Sequence, residues 1–248
     1  MRTHHHGRHE HGQNFLLDRT TITEIVDLVA ATEGPVVEIG PGGGALTLPL
    51  QHLGRPLTAV EIDRRVAASL RTRVGPNTTV VDGDFLAFRP PRAPHVLVGN
   101  LPFHLTTALL RRILHADHWT HAVLLVQWEV ARRRAGVGGA TMMTAQWWPW
   151  FDFHLVRRVP AAAFRPMPSV DGGLLTITRR AGSAVERKPY QDLVHRVFTG
   201  RGRGLRQVVR TAYGPATAHW LRRHGITDQH LPRHLTADQW VDLYRAVR

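Results

Sequence analysis

Val36-Val37-Glu38-Ile39-Gly40-Pro41-Gly42-Gly43-Gly44 is a short apolar run that ends in glycines, and Ala45 to Leu53 then resumes as a helix-like segment. An apolar run of this length with turn residues behind it forms a buried strand. Glycines after a strand let backbone approach a ligand closely, and the N-terminus of the next helix offers unused N–H groups. Gly40, Gly42 and Ala45 satisfy the pattern G-x-G-x-x-A, and Glu61 follows Gly40 by 21 residues, where a carboxylate can accept from both ribose hydroxyls. The loop reads as a site for an adenosine-containing cofactor. It leaves a nicotinamide dinucleotide and S-adenosylmethionine both open.

Working outward, the same alternation repeats. Leu57 to Ile62, Thr79 to Val81, Val96 to Val98 and Ala122 to Val126 read as buried strands, and Arg64 to Arg73 and Leu105 to His115 as helices between them. Upstream, Thr21 and Glu24 make a capping box for a helix carrying Ile22, Ile25, Val26 and Val29. Strands separated by helices predict an α/β fold with a Rossmann-like, doubly wound parallel sheet. Phe153 to Val159 and Gly173 to Thr178 have no helix between them and are expected as an antiparallel edge pair. After Arg180 the strand signals stop. Leu193, Val194, Val197 and Phe198, then Leu205, Val208 and Val209, then Trp240, Leu243, Tyr244 and Val247 have helical spacing. Three regions are therefore expected: a flexible His- and Arg-rich arm over 1–12, a catalytic domain over 13–180 and a small all-helical domain over 181–248.

Composition narrows the partner. The 248 residues carry 32 Lys plus Arg against 19 Asp plus Glu, a formal charge of +13, and 31 of those bases are arginine, Lys188 being the one lysine. Such an excess predicts a polyanion, most simply nucleic acid. Apolar runs such as Val123-Leu124-Leu125-Val126 fall far short of the roughly 20 residues a membrane-spanning helix needs, so no membrane partner is expected. No cysteine is present, which excludes disulfides and thiolate metal sites and favours the cytoplasm. The histidines lack metal-ligand spacing, the five between His4 and His11 read as a tail, and no metal is expected.

The third strand ends in Asp82-Gly83-Asp84-Phe85, which suits either an adenine-binding carboxylate and aromatic or a solvated turn. The fourth ends in Gly99-Asn100-Leu101-Pro102-Phe103-His104 and decides the chemistry. Pro102 has no N–H and disfavours helix at Leu101. The Asn100 side-chain oxygen and the Leu101 carbonyl can then accept both hydrogens of an exocyclic amine, with Phe103 stacked on its ring. Hydride transfer has no use for such a set.

With these motifs in order, the chain resembles the S-adenosylmethionine-dependent rRNA adenine N6-methyltransferases, most of all the erythromycin-resistance branch. Gln13-Asn14-Phe15-Leu16 resembles that family's Q-N-F-L opening, and Phe164-Arg165-Pro166-Met167-Pro168-Ser169-Val170 its F-x-P-x-P-x-V motif. The resemblance implies a methyltransferase sheet with a C-terminal helical domain, and S-adenosyl-L-methionine held by Gln13, Asn14, Leu16, Glu38, Gly40, Gly42, Glu61, Ile62, Asp84, Phe85 and Asn100. It implies catalysis by Asn100, Leu101, Pro102, Phe103 and Phe164, the last facing the flipped adenine. It also implies 23S rRNA as partner, met before the ribosome is fully assembled, one or two methyl groups added to N6, and resistance of the macrolide-lincosamide-streptogramin type. A monomer is expected.

Arg203, Arg206 and Arg210, with Arg201 before them, are expected as a phosphate-facing stripe, and Arg132, Arg133 and Arg134 as a second cluster. Trp147, Trp148 and Trp150 are expected in a core rather than as base-stacking platforms. Two other functions remain compatible: dimethylation of small-subunit rRNA in ribosome assembly, and a non-catalytic RNA-binding assembly factor.

Overall fold

The computed structural model describes residues 14–183 and 185–248; the arm expected over 1–12 and Gln13 lie outside the described residues. In chain order the elements are β1 (Phe15–Leu16), α1 (Arg19–Ala30), β2 (Val36–Ile39), α2 (Thr47–Leu50), β3 (Leu57–Glu61), α3 (Arg64–Arg71) and β4 (Thr78–Asp82). There follow β5 (His95–Asn100), α4 (Thr106–His115), β6 (Trp119–Gln127), α5 (Trp128–Arg134), α6 (Met142–Trp147), β7 (Phe151–Val159), β8 (Phe164–Arg165) and β9 (Gly172–Arg179). The last four are α7 (Arg187–Thr199), α8 (Leu205–Tyr213), α9 (Ala218–Arg223) and α10 (Ala237–Ala246).

Seven strands form one sheet in the order β4-β3-β2-β5-β6-β9-β7, and β1 pairs with β8 in a separate antiparallel ribbon. Each adjacent pair from β4 across to β6 in that order runs parallel, with Val36 opposite both Leu57 and Val96. All four residues of β2 are buried, as expected of a strand covered on both faces. The chain runs outward from β2 through β3 to β4, then returns to the other side of β2 as β5. That reversal opens a crevice at the carboxyl ends of β2 and β5, the usual ligand position in open α/β sheets.

The expected strands all form, and the expected edge pair occupies neighbouring places, with β7 outermost. Two local readings are corrected. The N-cap of α1 is Asp18, whose carboxylate accepts the Thr21 N–H at 2.8 Å. Glu24 instead pairs with Arg157. The helix expected over Ala45 to Leu53 shrinks to one α-turn and a 3₁₀ turn. Pro49 has no N–H for the Ala45 carbonyl, and the three preceding glycines are spent in turn geometry.

The chain divides into two compact units, Met1–Ala131 with Leu155–Ile177, and Arg132–His154 with Thr178–Arg248. In the first, Ile25 and Val29 of α1 join a core with Val36, Val96, Val98, Val123 and Leu125. Each such side chain contributes about 1.5–3 kcal/mol by leaving water. In the second, Tyr190, Leu193, Val194 and Val197 of α7 pack with Leu205, Val208 and Val209 of α8, Trp220 and Leu221 of α9, and Trp240, Leu243 and Tyr244 of α10. Residues 132–154 group with these helices rather than with the catalytic domain expected to include them. Ala145 sits in the same core and its carbonyl accepts the Tyr190 hydroxyl at 2.9 Å, while burial pushes that phenol well above its ordinary range. Trp147 is buried, and Trp148 and Trp150 pack on the same cluster. They serve as core.

Candidate active site

A cavity of about 960 Å³ opens where β2 and β5 end. Asn14, Leu16, Glu38, Gly40, Gly42, Asn100, Leu101, Pro102 and Phe103 are among the residues that line it. Gly40, Gly42 and Gly44 all take positive φ, which folds the loop back on itself in a way side-chain-bearing residues rarely tolerate. In front of Gly40 and Gly43 a Cβ would meet nothing within 4 Å, so the loop leaves an open cradle of backbone.

At the end of β5 the geometry fixes which end of an amide is offered. Asn100 Nδ2 donates to the Asn14 carbonyl at 2.7 Å. A carbonyl can only accept, so the NH2 end must face Asn14 and Oδ1 must face away. Among the described residues no donor reaches Asn100 Oδ1 or the Leu101 carbonyl, whereas the Pro102 carbonyl is taken by Leu105 N–H and the Thr106 hydroxyl. Two acceptors are thus left open beside the half-buried ring of Phe103. Phe103 meets Phe164 edge to face, with centroids 6.2 Å apart.

Phe164 itself is 0% exposed and does not line the cavity. It stands behind Phe103, in the core and close against Gly172, where a Cβ would come within 3.0 Å of its ring. Its neighbour Arg165 is the residue of that motif that lines the cavity. The adenine-facing position expected of Phe164 is therefore corrected to a supporting one in this structure, because β8 pairs with β1 and turns its ring inward.

The two buried carboxyls behave differently. Glu38 is 1% exposed, accepts the Thr47 hydroxyl at 2.7 Å, and is pushed up to about 8 by burial, with the neighbouring Glu61 adding to the rise and the Thr47 hydrogen bond opposing it. Glu61 is 0% exposed, and its two oxygens accept Gly42 N–H at 2.9 Å and Asp63 N–H at 3.0 Å. It braces the glycine loop from behind and does not line the cavity, nor do Ile62, Asp84 and Phe85. Asp84 is exposed, with one oxygen accepting Leu86 N–H at 2.8 Å, and Phe85 is buried against Phe88.

Arg201, Arg203, Arg206 and Arg210 are all exposed, the last two on α8 away from its buried Leu205, Val208 and Val209. Of the other cluster, Arg133 is exposed but Arg134 is half-buried and donates to the Thr141 hydroxyl at 2.8 Å. Arg134 is a structural residue at the cap of α6 and is withdrawn from the phosphate-facing set. Among the described residues no cluster of His, Asp or Glu is placed to hold a metal ion, and no helix is long and apolar enough to cross a membrane. Sequence reasoning missed Gly99, Arg19 and Arg73. A glycine inside a strand was the available signal for the first; the arginines had none.

A parallel sheet with a glycine-cradled crevice and an Asn-Leu-Pro-Phe lip defines a methyltransferase of the Rossmann-like class, with S-adenosylmethionine as its cofactor. Residues 4–248 match the ribosomal RNA adenine dimethylase family, and the chain belongs to it. It is 58% identical over 214 residues to an rRNA adenine N-6-methyltransferase of Corynebacterium diphtheriae, covering 85% of each chain. It is 48% identical to the mycinamicin-resistance protein MyrB of Micromonospora griseorubida, covering 98% of this chain and 79% of that one. The crystal structure of the 23S rRNA methyltransferase ErmE superposes with a TM-score of 0.87 at 33% identity, covering 94% of this chain and 99% of that one.

Proposed function

We propose that this enzyme methylates N6 of one adenine in 23S rRNA and so confers macrolide-lincosamide-streptogramin resistance, acting in the cytoplasm as a monomer on RNA not yet fully assembled into ribosomes. The observation that carries the chemistry is the pair of open acceptors at Asn100 Oδ1 and the Leu101 carbonyl beside Phe103. The N6 lone pair is delocalised into the purine ring, which makes it a poor nucleophile. Accepting both N–H hydrogens favours a more pyramidal nitrogen whose lone pair is free to point at the donor. The cofactor supplies an electrophilic methyl group on a sulfonium. Phe103 holds the base and offers a π face to the charge that develops on nitrogen, and Phe164 supports Phe103 from behind. Alignment and electrostatics supply the acceleration, and no strong general base is needed, since the methylated amine becomes acidic enough to lose its proton to water. The adenine must leave its helix or loop stack to reach the cavity. Glu38, Gly40, Gly42, Asn14 and Leu16 hold the cofactor, and Glu61 meets its ribose once Gly42 N–H is released. The exposed arginines of the helical unit, Arg201, Arg203, Arg206 and Arg210, contact phosphates.

The names of the relatives support the large subunit. Two of them are a mycinamicin-resistance protein and a 23S rRNA methyltransferase. The test is labelled-methyl transfer from S-adenosylmethionine to protein-free 23S and 16S rRNA, with the modified nucleotide mapped. Label confined to one 23S adenine, and lost in Asn100→Ala, is the expected result. Label confined to 16S rRNA, or full activity in Asn100→Ala, overturns the reading.

A further inference from the structure

Four ionisable side chains line the cavity: Glu38, Arg19, Arg73 and Arg165. Glu38 is buried and largely uncharged at neutral pH, because burial lifts its carboxyl to about 8. The three arginines are exposed. Arg73 Nη1 donates to the Gly43 carbonyl at 2.8 Å, and Arg165 Nη1 to the Phe164 carbonyl at 3.0 Å. Neither of them, nor Arg19, meets a carboxylate among the described residues. The backbone arranges them around the mouth: Arg165 pairs across the ribbon with Phe15, the Phe15 ring rests against Gly42 beside the Gly43 carbonyl held by Arg73, and Arg19 opens α1 just after β1.

Three unneutralised guanidiniums around one opening call for an anion. The cofactor does not provide enough: its carboxylate is balanced by its own ammonium, and its sulfonium adds positive charge. An extruded nucleotide does, since flipping a base into a pocket leaves the two phosphates that flank it at the pocket's mouth. A guanidinium matches phosphate oxygens in pairs.

We propose that Arg19, Arg73 and Arg165 form a phosphate clamp on the catalytic unit that grips the RNA backbone on either side of the target adenosine. The clamp rests on the adenine-methylation reading above and adds RNA contacts separate from those assigned to the helical unit. Such contacts carry no base information; they set the register in which one adenosine, and not its neighbour, enters the cavity.

The experiment is the salt dependence of binding to protein-free 23S rRNA, read beside cofactor affinity by calorimetry. In an Arg19→Gln/Arg165→Gln double variant the slope of log K against log salt becomes shallower by about 1.4, at roughly 0.7 for each contact to single-stranded RNA. Cofactor affinity stays within about twofold of wild type, a difference well under 1 kcal/mol. Arg73→Gln makes the slope shallower by about 0.7, one contact, and Arg73→Lys returns most of it, because a point charge still serves a phosphate. Arg92→Gln, exposed but outside the cavity lining, leaves the slope unchanged. An unaltered slope in the double variant overturns the clamp, as does an equal loss in Arg92→Gln. A fall of tenfold or more in cofactor affinity with the slope intact overturns it in favour of the cofactor's carboxylate as the anion held. A wild-type protein that transfers no methyl group overturns the adenine reading alone, since the slope is measured without turnover.

Discussion

Glu38 stores a cost that pH releases. Its carboxyl has an ordinary value of 4.5 and is lifted to about 8 in the fold, chiefly by burial, so between those values the folded chain holds a proton that the unfolded chain has lost. Folding stability therefore falls as pH rises through that window, by an upper bound of about 5 kcal/mol for a shift of this size. Glu38→Gln, which cannot ionise, flattens the decline; denaturant unfolding at pH 6 and pH 9 measures it, and an equal decline in both proteins would dismiss Glu38 as its source. Phe164 separates two roles at the same scale. Truncation to Ala in a fully buried site costs about 3–5 kcal/mol of stability, so lost activity there is uninformative. Phe164→Leu keeps most of the volume but removes the ring that meets Phe103 edge to face. It is expected to stay folded with cofactor affinity intact and to lose methyl transfer by about tenfold, some 1.4 kcal/mol of transition-state stabilisation. Cofactor affinity falling in step would move Phe164 to the cofactor's side.

Among the elements, β2 and β5 carry the site because they sit where the strand order reverses, and their spacing there is set by Gly99. A Cβ at that position would lie 2.7 Å from the Ile39 carbonyl, backbone that cannot move aside cheaply. Gly99→Ala pushes the ends of β2 and β5 apart, displacing Asn100 by a fraction of an ångström. Its expected signature is a loss of methyl transfer of about a hundredfold, larger than the loss of stability alone explains. Single-turnover rates beside a melting curve read this, and an active but less stable Gly99→Ala would show that the strand spacing has slack. The alternation of strand and helix was legible because parallel strands covered on both faces are continuously apolar, as Val36 to Ile39 and Val96 to Val98 are. The lip at Asn100 was legible because proline and an aromatic after a strand have few other uses. Phe164 was not: a motif names a residue but not which way its backbone turns the ring, and that depends on β1 arriving from 150 residues away to pair with β8. Glu61 was half legible, a carboxylate at the right offset whose oxygens are occupied by loop amides.

At the level of the whole chain, a formal +13 is distributed between two units with separate cores. The expected consequence is steep: a protein making 6–10 phosphate contacts loses roughly 10³–10⁵ in affinity between 50 and 200 mM salt. Filter binding of protein-free 23S rRNA across that range measures it, and a flat response would leave the charge without its expected partner. The units were only partly legible. The helical signals after Arg180 stood out, but residues 132–154 join those helices through Ala145 and Trp150, which meet Tyr190 some 40 residues further on. Such a join is long-range packing, which no local period encodes.

The 2.7 Å hydrogen bond from Asn100 to Asn14 spans 86 residues of chain, and it amounts to a polarity key. A protease that trimmed the chain back past Leu17 would leave every strand of the large sheet in place. The amide of Asn100, relieved of its one obligatory acceptor, would then spin between two nearly isosteric orientations and greet the incoming amine with hydrogens as often as with oxygen. The trimmed enzyme would also lose the β1–β8 ribbon and the buried Leu16, so a drop in methyl transfer would come with a drop in melting temperature.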